Sequence, residues 1–210
     1  MTSGIDGNRT RGKVIVISGP SGVGKSTICR EVVQRVAEVH LSVSVTTRPP
    51  GPGEQNGRDY WFVREREFRE RIAQGLLLEY AEVFGNLYGT PKDKVDEVLE
   101  TGQSVVLEID VQGGRQAKAA YPDAVMIFIL PPDEKALADR LGRRGRDTSD
   151  VTEKRLHGAG NEIAAAWQYY DNMVINEDLE HAVGEVIQII ARALRGEEVS
   201  PGPDGSIGDE

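Results

Sequence analysis

A glycine-rich segment between a predicted strand and a predicted helix narrows the possible folds of this chain more than any other part of it. The strand is expected at residues 13–18, where Lys-Val-Ile-Val-Ile-Ser is the apolar, β-branched run typical of a buried parallel strand. Residues 19–26 come next and fit the pattern G-x-x-x-x-G-K-[ST] at every fixed position. A helix is predicted from Ser26 to Val39, because apolar residues recur on one side of it. Strand, loop and helix together predict a phosphate-binding loop.

The residue types of this loop suit the binding of a nucleoside triphosphate. Glycines allow backbone N–H groups to turn towards phosphate oxygens, and the start of the following helix adds positive potential. Lys25 can reach the β- and γ-phosphates, and the hydroxyl of Ser26 can bind Mg²⁺. We therefore expect the whole loop to contact ATP: Gly19, Pro20, Ser21, Gly22, Val23, Gly24, Lys25, Ser26 and Thr27. A glycine-rich turn that matches by chance is the alternative, and it fits less well because the strand and the helix are both present.

The rest of the chain alternates predicted strands and helices, which favours an α/β fold with a P-loop NTPase core, in which helices cover both faces of a parallel sheet. Residues 41–90 interrupt this alternation with a β-rich insertion punctuated by glycines, and one short strand is expected at 41–46. The other core strands are predicted at residues 104–110, 124–130 and 174–176, and the other core helices at 92–101, 112–120, 133–143, about 150–170 and 179–194.

The length and composition agree with one such domain. The chain has 210 residues, of which 39% are hydrophobic and 28% are charged, so it can bury a core. We expect residues 12–195 to form the domain and residues 1–11 to form a flexible arm. Residues 196–210 contain Pro, Gly, Ser and acidic residues with almost no apolar ones, which predicts a disordered acidic tail.

Composition also disfavours several classes of function. No apolar run approaches the ~20 residues of a membrane span, and the polar first residues do not form a secretory signal. A single cysteine, Cys29, excludes an internal disulfide framework. The net charge of −9 argues against general binding to nucleic acid. These features predict a cytoplasmic protein that binds neither nucleic acid nor membrane and needs no obligate protein partner.

Two kinds of phosphate chemistry are compatible with the loop, those of a GTPase and of a small-molecule kinase. Residues 110–113 (Asp-Val-Gln-Gly) match the D-x-x-G that GTPases place after a strand. A GTPase also needs Asn-Lys-x-Asp to recognise guanine, and no asparagine of this chain is followed by lysine. The kinase interpretation is therefore better supported.

An arginine-rich stretch could supply the positive charge that a kinase needs around the transferred phosphoryl group. Arg140 and Arg144 are one helical turn apart and share a face, and Arg155 lies on the next helix, beyond a glycine-containing break. Two helices joined in this way, at about residues 140–156, suit a helical lid that closes over ATP and excludes water. A solvated basic surface is the alternative.

The insertion at residues 41–90 then has to bind the acceptor of the phosphoryl group. Ser44 offers a hydroxyl, and Arg48 offers a guanidinium that can bind a phosphate through two hydrogen bonds. Tyr60 and Tyr88 can add phenolic donors to the same phosphate. This set predicts a site for a phosphorylated acceptor.

Three further residues match the hydrogen-bonding edge of guanine. The carboxylates of Glu79 and Asp110 can accept from N1–H and the exocyclic amine, and the hydroxyl of Thr90 can donate to O6. Adenine has an unprotonated N1, which a carboxylate repels, so such a site would reject it. Glu79 and Asp110 could instead be ordinary polar residues at strand ends.

At these residues the chain resembles the guanylate kinase family of ATP:GMP phosphotransferases, and the resemblance extends in order from residue 12 to about residue 195. The segments that carry it include Ser-Val-Ser-Val-Thr-Thr-Arg at residues 42–48 and Leu-Glu-Ile-Asp-Val-Gln-Gly at residues 107–113. The other matching segments are residues 18–27, 57–60, 84–90, 140–148 and 174–179.

The resemblance implies a nucleoside monophosphate kinase that transfers the γ-phosphoryl group of MgATP to GMP, with dGMP as a further acceptor and Mg²⁺ as the cofactor. The fold it implies is a P-loop core with a mobile GMP-binding lobe at residues 41–90 and a lid. The GMP ligands implied are Ser44, Arg48, Tyr60, Glu79, Tyr88, Thr90 and Asp110. The catalytic residues implied are Lys25, Arg140, Arg144 and Arg155, and Asn176 is expected near the adenine of ATP.

One segment departs from the family pattern T-T-R-x-P-R-x-G-E. Residues 46–54 read Thr-Thr-Arg-Pro-Pro-Gly-Pro-Gly-Glu, so Gly51 stands where a second phosphate-binding arginine is expected. The loss of such a charge-assisted pair is expected to weaken GMP binding by about 1.5–3 kcal/mol unless nearby Arg58 compensates. Gly51 therefore leaves open a nucleotide kinase with relaxed or different acceptor choice. A second alternative is a related binding module that docks proteins without catalysis, because folds are often reused for other functions.

Overall fold

The computed structural model describes residues 11–83, 85–142 and 149–197. Most of the predicted arm, most of the predicted tail and Arg144 lie outside these ranges, as does the side chain of Arg155. In chain order the elements are β1 (Val14–Ser18), α1 (Lys25–Arg35), β2 (Val39–Leu41), β3 (Val45–Thr46), β4 (Trp61–Phe62), α2 (Glu65–Ala73), β5 (Leu77–Val83), β6 (Asn86–Pro91), α3 (Lys92–Glu100), β7 (Ser104–Glu108), α4 (Val111–Ala120), β8 (Val125–Leu130), α5 (Glu134–Gly142), α6 (Ser149–Ala166), β9 (Asn172–Ile175) and α7 (Leu179–Leu194).

The central sheet has five strands in the order β2-β7-β1-β8-β9, and all neighbours in it are parallel. Every residue of β1 is buried, as its continuous apolar run predicts. Ile15 and Ile17 pack with residues of α1 and α7 on one face of the sheet, whereas Val14 and Val16 pack with residues of α3, α4 and α6 on the other. The predicted α/β class, with helices on both faces of a parallel sheet, is confirmed.

Two predicted boundaries near the start of the insertion are wrong. Helix α1 ends at Arg35 instead of Val39, because the chain is extended again by Val39 and pairs there with Ser104 of β7. The single strand predicted at residues 41–46 is in fact divided between two sheets. Leu41 is the last residue of β2, an edge strand of the central sheet. Val45 belongs to β3 and pairs with Gly89 in a separate sheet. A local apolar pattern cannot show which partner strand each residue meets.

A second sheet is built from residues 45–91, in the strand order β4-β3-β6-β5. Strands β5 and β6 are antiparallel, and their register places Glu79 opposite Thr90. Phe68 of α2 is fully buried, and a Cβ added at Gly89 would lie 3.1 Å from its ring, so the aromatic side chain packs closely against this hairpin. The hairpin thereby holds two polar side chains next to each other in a buried position.

Predicted site residues and one further acidic residue lie at or just after the carboxyl ends of neighbouring central strands. The glycine-rich loop follows β1, Glu108 is the last residue of β7, and Asp110 precedes α4. In parallel sheets this edge is where ligands bind. Of the helices in the described ranges, none is both long and apolar enough to cross a membrane.

Candidate active site

The loop between β1 and α1 has the backbone that only glycine adopts readily. Gly24, the residue before α1, has φ of 106°, in the left-handed region. A Cβ at Gly24 would lie 2.5 Å from Nδ2 of Asn176, and one at Gly19 would lie 2.4 Å from the carbonyl oxygen of Ile129. The fixed glycines of the sequence pattern are therefore required both by backbone conformation and by close neighbours.

The ammonium group of Lys25 is held at this loop. Its Nζ donates to the carbonyl oxygens of Gly19 and of Pro20, the latter at 3.2 Å. Burial lowers the pKa of Lys25, while the carboxylates of Glu108 and Glu162 act in the opposite direction. A lysine surrounded in this way can offer its charge to an anion in the loop.

Ser26 is bound to a carboxylate that the sequence interpretation did not assign to the site. Its hydroxyl donates to Oε1 of Glu108 over 2.5 Å. Glu108 comes from β7, where it pairs in register with Ile17 of β1, the strand that leads into the loop. The sequence offers little signal for Glu108, because a single acidic residue at a strand end forms no distinctive pattern. A hydroxyl and a carboxylate in contact form an all-oxygen set of the kind that Mg²⁺ prefers.

Asn176 and Arg140 support the loop through hydrogen bonds to its backbone. Nδ2 of Asn176 donates to the carbonyl oxygen of Val23 over 2.7 Å, and Nη1 of Arg140 donates to the same oxygen over 3.2 Å. Nη2 of Arg140 donates to the carbonyl oxygen of Asn176 over 2.8 Å. The described contacts of Arg140 are thus with backbone carbonyls around the loop, which is a supporting arrangement.

The predicted guanine ligands come together in an acidic site, where Glu79 and Thr90 are buried and Asp110 is half-buried. Glu79 is only 4% exposed, and its Oε1 accepts a hydrogen bond from the hydroxyl of Thr90 at 2.7 Å. Asp110 caps α4 by accepting from the N–H of Gly113 at 2.8 Å. Gly113 also contacts the other oxygen of Glu79, since a Cβ on it would lie 2.6 Å from Oε2.

The ionisation of Glu79 is strongly perturbed. Burial raises the pKa of its carboxyl to about 7, the hydrogen bond from Thr90 opposes that rise, and the charge of Asp110 adds to it. Strongly shifted pKa values cluster at functional sites, so this shift supports a functional role for Glu79.

The predicted phosphate ligands form a second group in the insertion. Arg48 lies over the ring of Tyr60, 5.3 Å from its centroid, and Tyr60 meets the ring of Tyr88 edge-on at 6.0 Å. Nη2 of Arg48 is bound to both carboxylate oxygens of Glu54, at 2.8 and 2.9 Å. Arg58 is bound to Asp59 and to the carbonyl oxygen of Gly53, which gives no support to the idea that it replaces the arginine missing at position 51.

One cavity of about 560 Å³ joins these groups. The predicted residues that line it are Gly19, Ser21, Lys25, Ser44, Tyr60, Glu79, Tyr88 and Asp110. It is also lined by Glu108, Gly158 and Glu162, which the sequence interpretation missed. The remaining predicted residues in the described ranges are not among those that line it: Pro20, Gly22, Val23, Gly24, Ser26, Thr27, Arg48, Thr90, Arg140 and Asn176. Arg48 and Thr90 are nonetheless in contact with lining residues.

A glycine-rich phosphate loop at the carboxyl edge of a parallel sheet, opening into the same cavity as a buried acidic site, defines a P-loop nucleotide kinase. The comparisons with known proteins identify the family. The family model described as guanylate kinase matches residues 11–193. The chain therefore belongs to the guanylate kinase family, whose members are phosphotransferases that convert GMP to GDP with ATP.

Individual relatives agree with this assignment. The chain is 47% identical over 186 residues to a guanylate kinase of Rubrobacter xylanophilus, which covers 89% of this chain and 97% of the relative. It is 49% identical over 185 residues to a guanylate kinase of Gloeobacter violaceus, which covers 88% and 90%. The crystal structure of guanylate kinase from Anaplasma phagocytophilum superposes with a TM-score of 0.72 at 34% identity, covering 87% of this chain and 86% of that one. The GTPase and binding-module alternatives are thus overturned in favour of the enzyme.

Proposed function

We propose that the cavity of about 560 Å³ holds GMP and the phosphates of ATP together. Its acidic end would bind the guanine base, and the end at the glycine-rich loop would bind the phosphates of ATP. The observation that supports this most directly is the shared lining. Lys25 of the phosphate loop and the buried Glu79 of the second sheet both face one space. An enzyme that joins a donor to an acceptor needs the two sites to meet in this way.

The guanine base is assigned to the acidic end. Glu79 and Asp110 accept hydrogen bonds from N1–H and the exocyclic amine, and Thr90 donates to O6 or holds Glu79 in place, as it does here. A ligand without those donors would leave a buried carboxylate unpaired, which is costly. We assign no residue to the ribose 2′-hydroxyl, so dGMP is included as an acceptor.

The phosphate of GMP is assigned to Ser44, Arg48, Tyr60 and Tyr88. Three of them line the cavity, and Arg48 lies over the ring of one of these, Tyr60. Hydroxyl groups and a guanidinium are suitable donors for a phosphate dianion. This places the acceptor phosphate between the base site and the loop.

ATP is assigned to residues 19–27, with Lys25 at its β- and γ-phosphates and Asn176 supporting the loop from behind. We propose Mg²⁺ as the cofactor, held by Ser26 with the assistance of Glu108, because these two side chains present oxygens in direct contact. Among the described residues no group of three or more His, Cys, Asp or Glu could hold a metal. The ion would therefore complete its coordination with ATP phosphates and water, and it would neutralise part of their charge.

In the reaction, a phosphate oxygen of GMP attacks the γ-phosphorus in line, and the bond from that phosphorus to the β,γ-bridging oxygen breaks. The products are ADP and GDP. The attacking phosphate is already largely ionised near neutral pH, so no strong general base is needed. Lys25 and the loop N–H groups offset the charge that develops. Arg140, Arg144 and Arg155 are proposed to help offset that charge from a lid at about residues 140–156, which closes to exclude water.

The remaining assignments stay predictions of the sequence. They are the domain at residues 12–195 with its lobe at residues 41–90, the cytoplasmic location, and the absence of nucleic-acid and obligate protein partners.

A pair of variants tests the division of the cavity. Ligands that bind the folded state raise its melting temperature by mass action. Lys25→Ala should lose most of the stabilisation by ATP and keep that by GMP, whereas Arg48→Gln should do the reverse. Lys94→Ala, an exposed lysine of α3 that pairs with Glu97, is the matched control and should change neither. Equal losses for both ligands in either variant would contradict the proposed division.

A further inference from the structure

We propose that Glu54 weakens the binding of GMP by competing with the phosphate of the nucleotide for Arg48. The inference rests on the proposed role of Arg48 as a ligand of that phosphate. Glu54 is not among the residues assigned above to the phosphate of GMP.

The ion pair between these residues is close and partly shielded. Nη2 of Arg48 contacts both oxygens of Glu54, at 2.8 and 2.9 Å, and the two side chains are 29% and 28% exposed. Glu54 therefore occupies N–H donors of Arg48 that a phosphate would otherwise use.

Its own loop fixes the carboxylate there. The N–H of Gly51 donates to Oε2 of Glu54 over 2.6 Å, in addition to the bonds from Arg48. These hydrogen bonds lower the pKa of Glu54, so it carries its negative charge throughout the neutral range. An incoming phosphate thus meets a permanent anion.

Arg48 does not depend on Glu54 for its position. Its Nη1 donates to the carbonyl oxygen of Pro49 over 2.9 Å, and its guanidinium lies over the rings of Tyr60 and Phe62, at 5.3 and 5.9 Å from their centroids. Removing the charge of Glu54 should leave the guanidinium in place and release Nη2. Competition is therefore a better account of the pair than positioning.

Gly51 increases the effect of this competition, because it leaves no second positive charge beside the phosphate. With glycine at position 51, the formal charges of Arg48 and Glu54 sum to zero. An arginine at position 51 would leave a net positive charge beside the phosphate. Glutamine at position 54 has the same effect on the net charge, and it keeps an oxygen that can accept from the N–H of Gly51.

The test is the steady-state kinetics of Glu54→Gln. We expect the KM for GMP to fall about two- to fivefold, the size expected when a partly exposed ion pair that competes with the phosphate is removed. The kcat and the KM for ATP should change less than twofold. Guanosine, used as a competitive inhibitor without a phosphate, should bind both proteins equally. Asp59→Asn is the matched control, since Asp59 carries the same charge in the same loop but pairs with Arg58, and it should leave the KM for GMP unchanged.

Three results would overturn the proposal: an unchanged or raised KM for GMP in Glu54→Gln, an equal effect in Asp59→Asn, or an equal tightening of guanosine. Glu54→Ala must lower the KM for GMP as well, with a melting temperature near that of the wild type as the test of folding. Arg48→Gln distinguishes a wrong phosphate site from a wrong competition hypothesis. If it leaves the KM for GMP unchanged, the proposed phosphate site is wrong; if it raises that KM and Glu54→Gln does not lower it, the competition alone is wrong.

Discussion

Replacing Glu79 by glutamine should stabilise the substrate-free protein at high pH and impair its activity. Burial raises the pKa of this carboxyl from 4.5 to about 7. Between those values the folded chain holds a proton that the unfolded chain has released, so the free energy of unfolding falls as the pH rises. From pH 5 to pH 8 this loss comes to about 2.5 kcal/mol, at 1.36 kcal/mol for each unit by which the two pKa values differ. Glutamine does not ionise, so the free energy of unfolding of the variant should not show this loss.

Urea unfolding of wild type and Glu79→Gln at both pH values measures the effect. The variant should gain about 2.5 kcal/mol relative to wild type between pH 5 and pH 8. The packing of the new amide is the same at both pH values and cancels from this difference. The kcat/KM for GMP should fall about 10- to 100-fold, because the amide N–H groups face the donors of guanine. A stability difference that stays constant with pH would refute the reasoning.

Three further substitutions test separate contacts. Gly113→Ala places a Cβ 2.6 Å from Oε2 of Glu79 and should lower kcat/KM for GMP at least ~10-fold with little change in the KM for ATP; an unchanged kcat/KM would show that this contact does not matter. Ser26→Ala should raise the Mg²⁺ concentration for half-maximal activity about tenfold, as seen in a magnesium titration, and an unaltered titration would count against Ser26 as a ligand. Gly51→Arg should lower the KM for GMP about tenfold, because it adds a second guanidinium beside Arg48. Its Cβ would lie 3.2 Å from Oε2 of Glu54 and 3.7 Å from Nη1 of Arg48, and both atoms are at the ends of flexible side chains. A higher KM would show that position 51 does not face the phosphate.

The fold was largely predictable wherever a segment carries its own strong pattern. The predicted final helix, residues 179–194, matches α7 at both ends, because a long amphipathic repeat begins at the capping residue Asp178. The continuous apolar run of β1 likewise identified a buried strand. Residues 36–46 were not predictable in the same way, since their division between two sheets depends on pairing with the distant strands β7 and β6.

The candidate site shows the same contrast. The loop could be predicted because its backbone conformation and its approach to Asn176 demand glycine at fixed spacing. Glu108 and Glu162 could not be singled out, because one acidic residue at a strand end or on a helix forms no local pattern, and only the fold brings it to the cavity. The bond between Arg48 and Glu54 was equally hidden, since spacing within a loop does not fix the direction of a side chain.

The central claim is that the buried Glu79 and the half-buried Asp110 select guanine, and the rates with different acceptors test it most directly. GMP, inosine monophosphate and AMP differ at the base alone, and inosine monophosphate lacks only the exocyclic amine of guanine. We predict that kcat/KM falls from GMP to inosine monophosphate by about 10- to 100-fold, and further for AMP, because each change leaves a carboxylate without its donor. Equal kcat/KM values for GMP and AMP would contradict the assignment of Glu79 and Asp110 to the base.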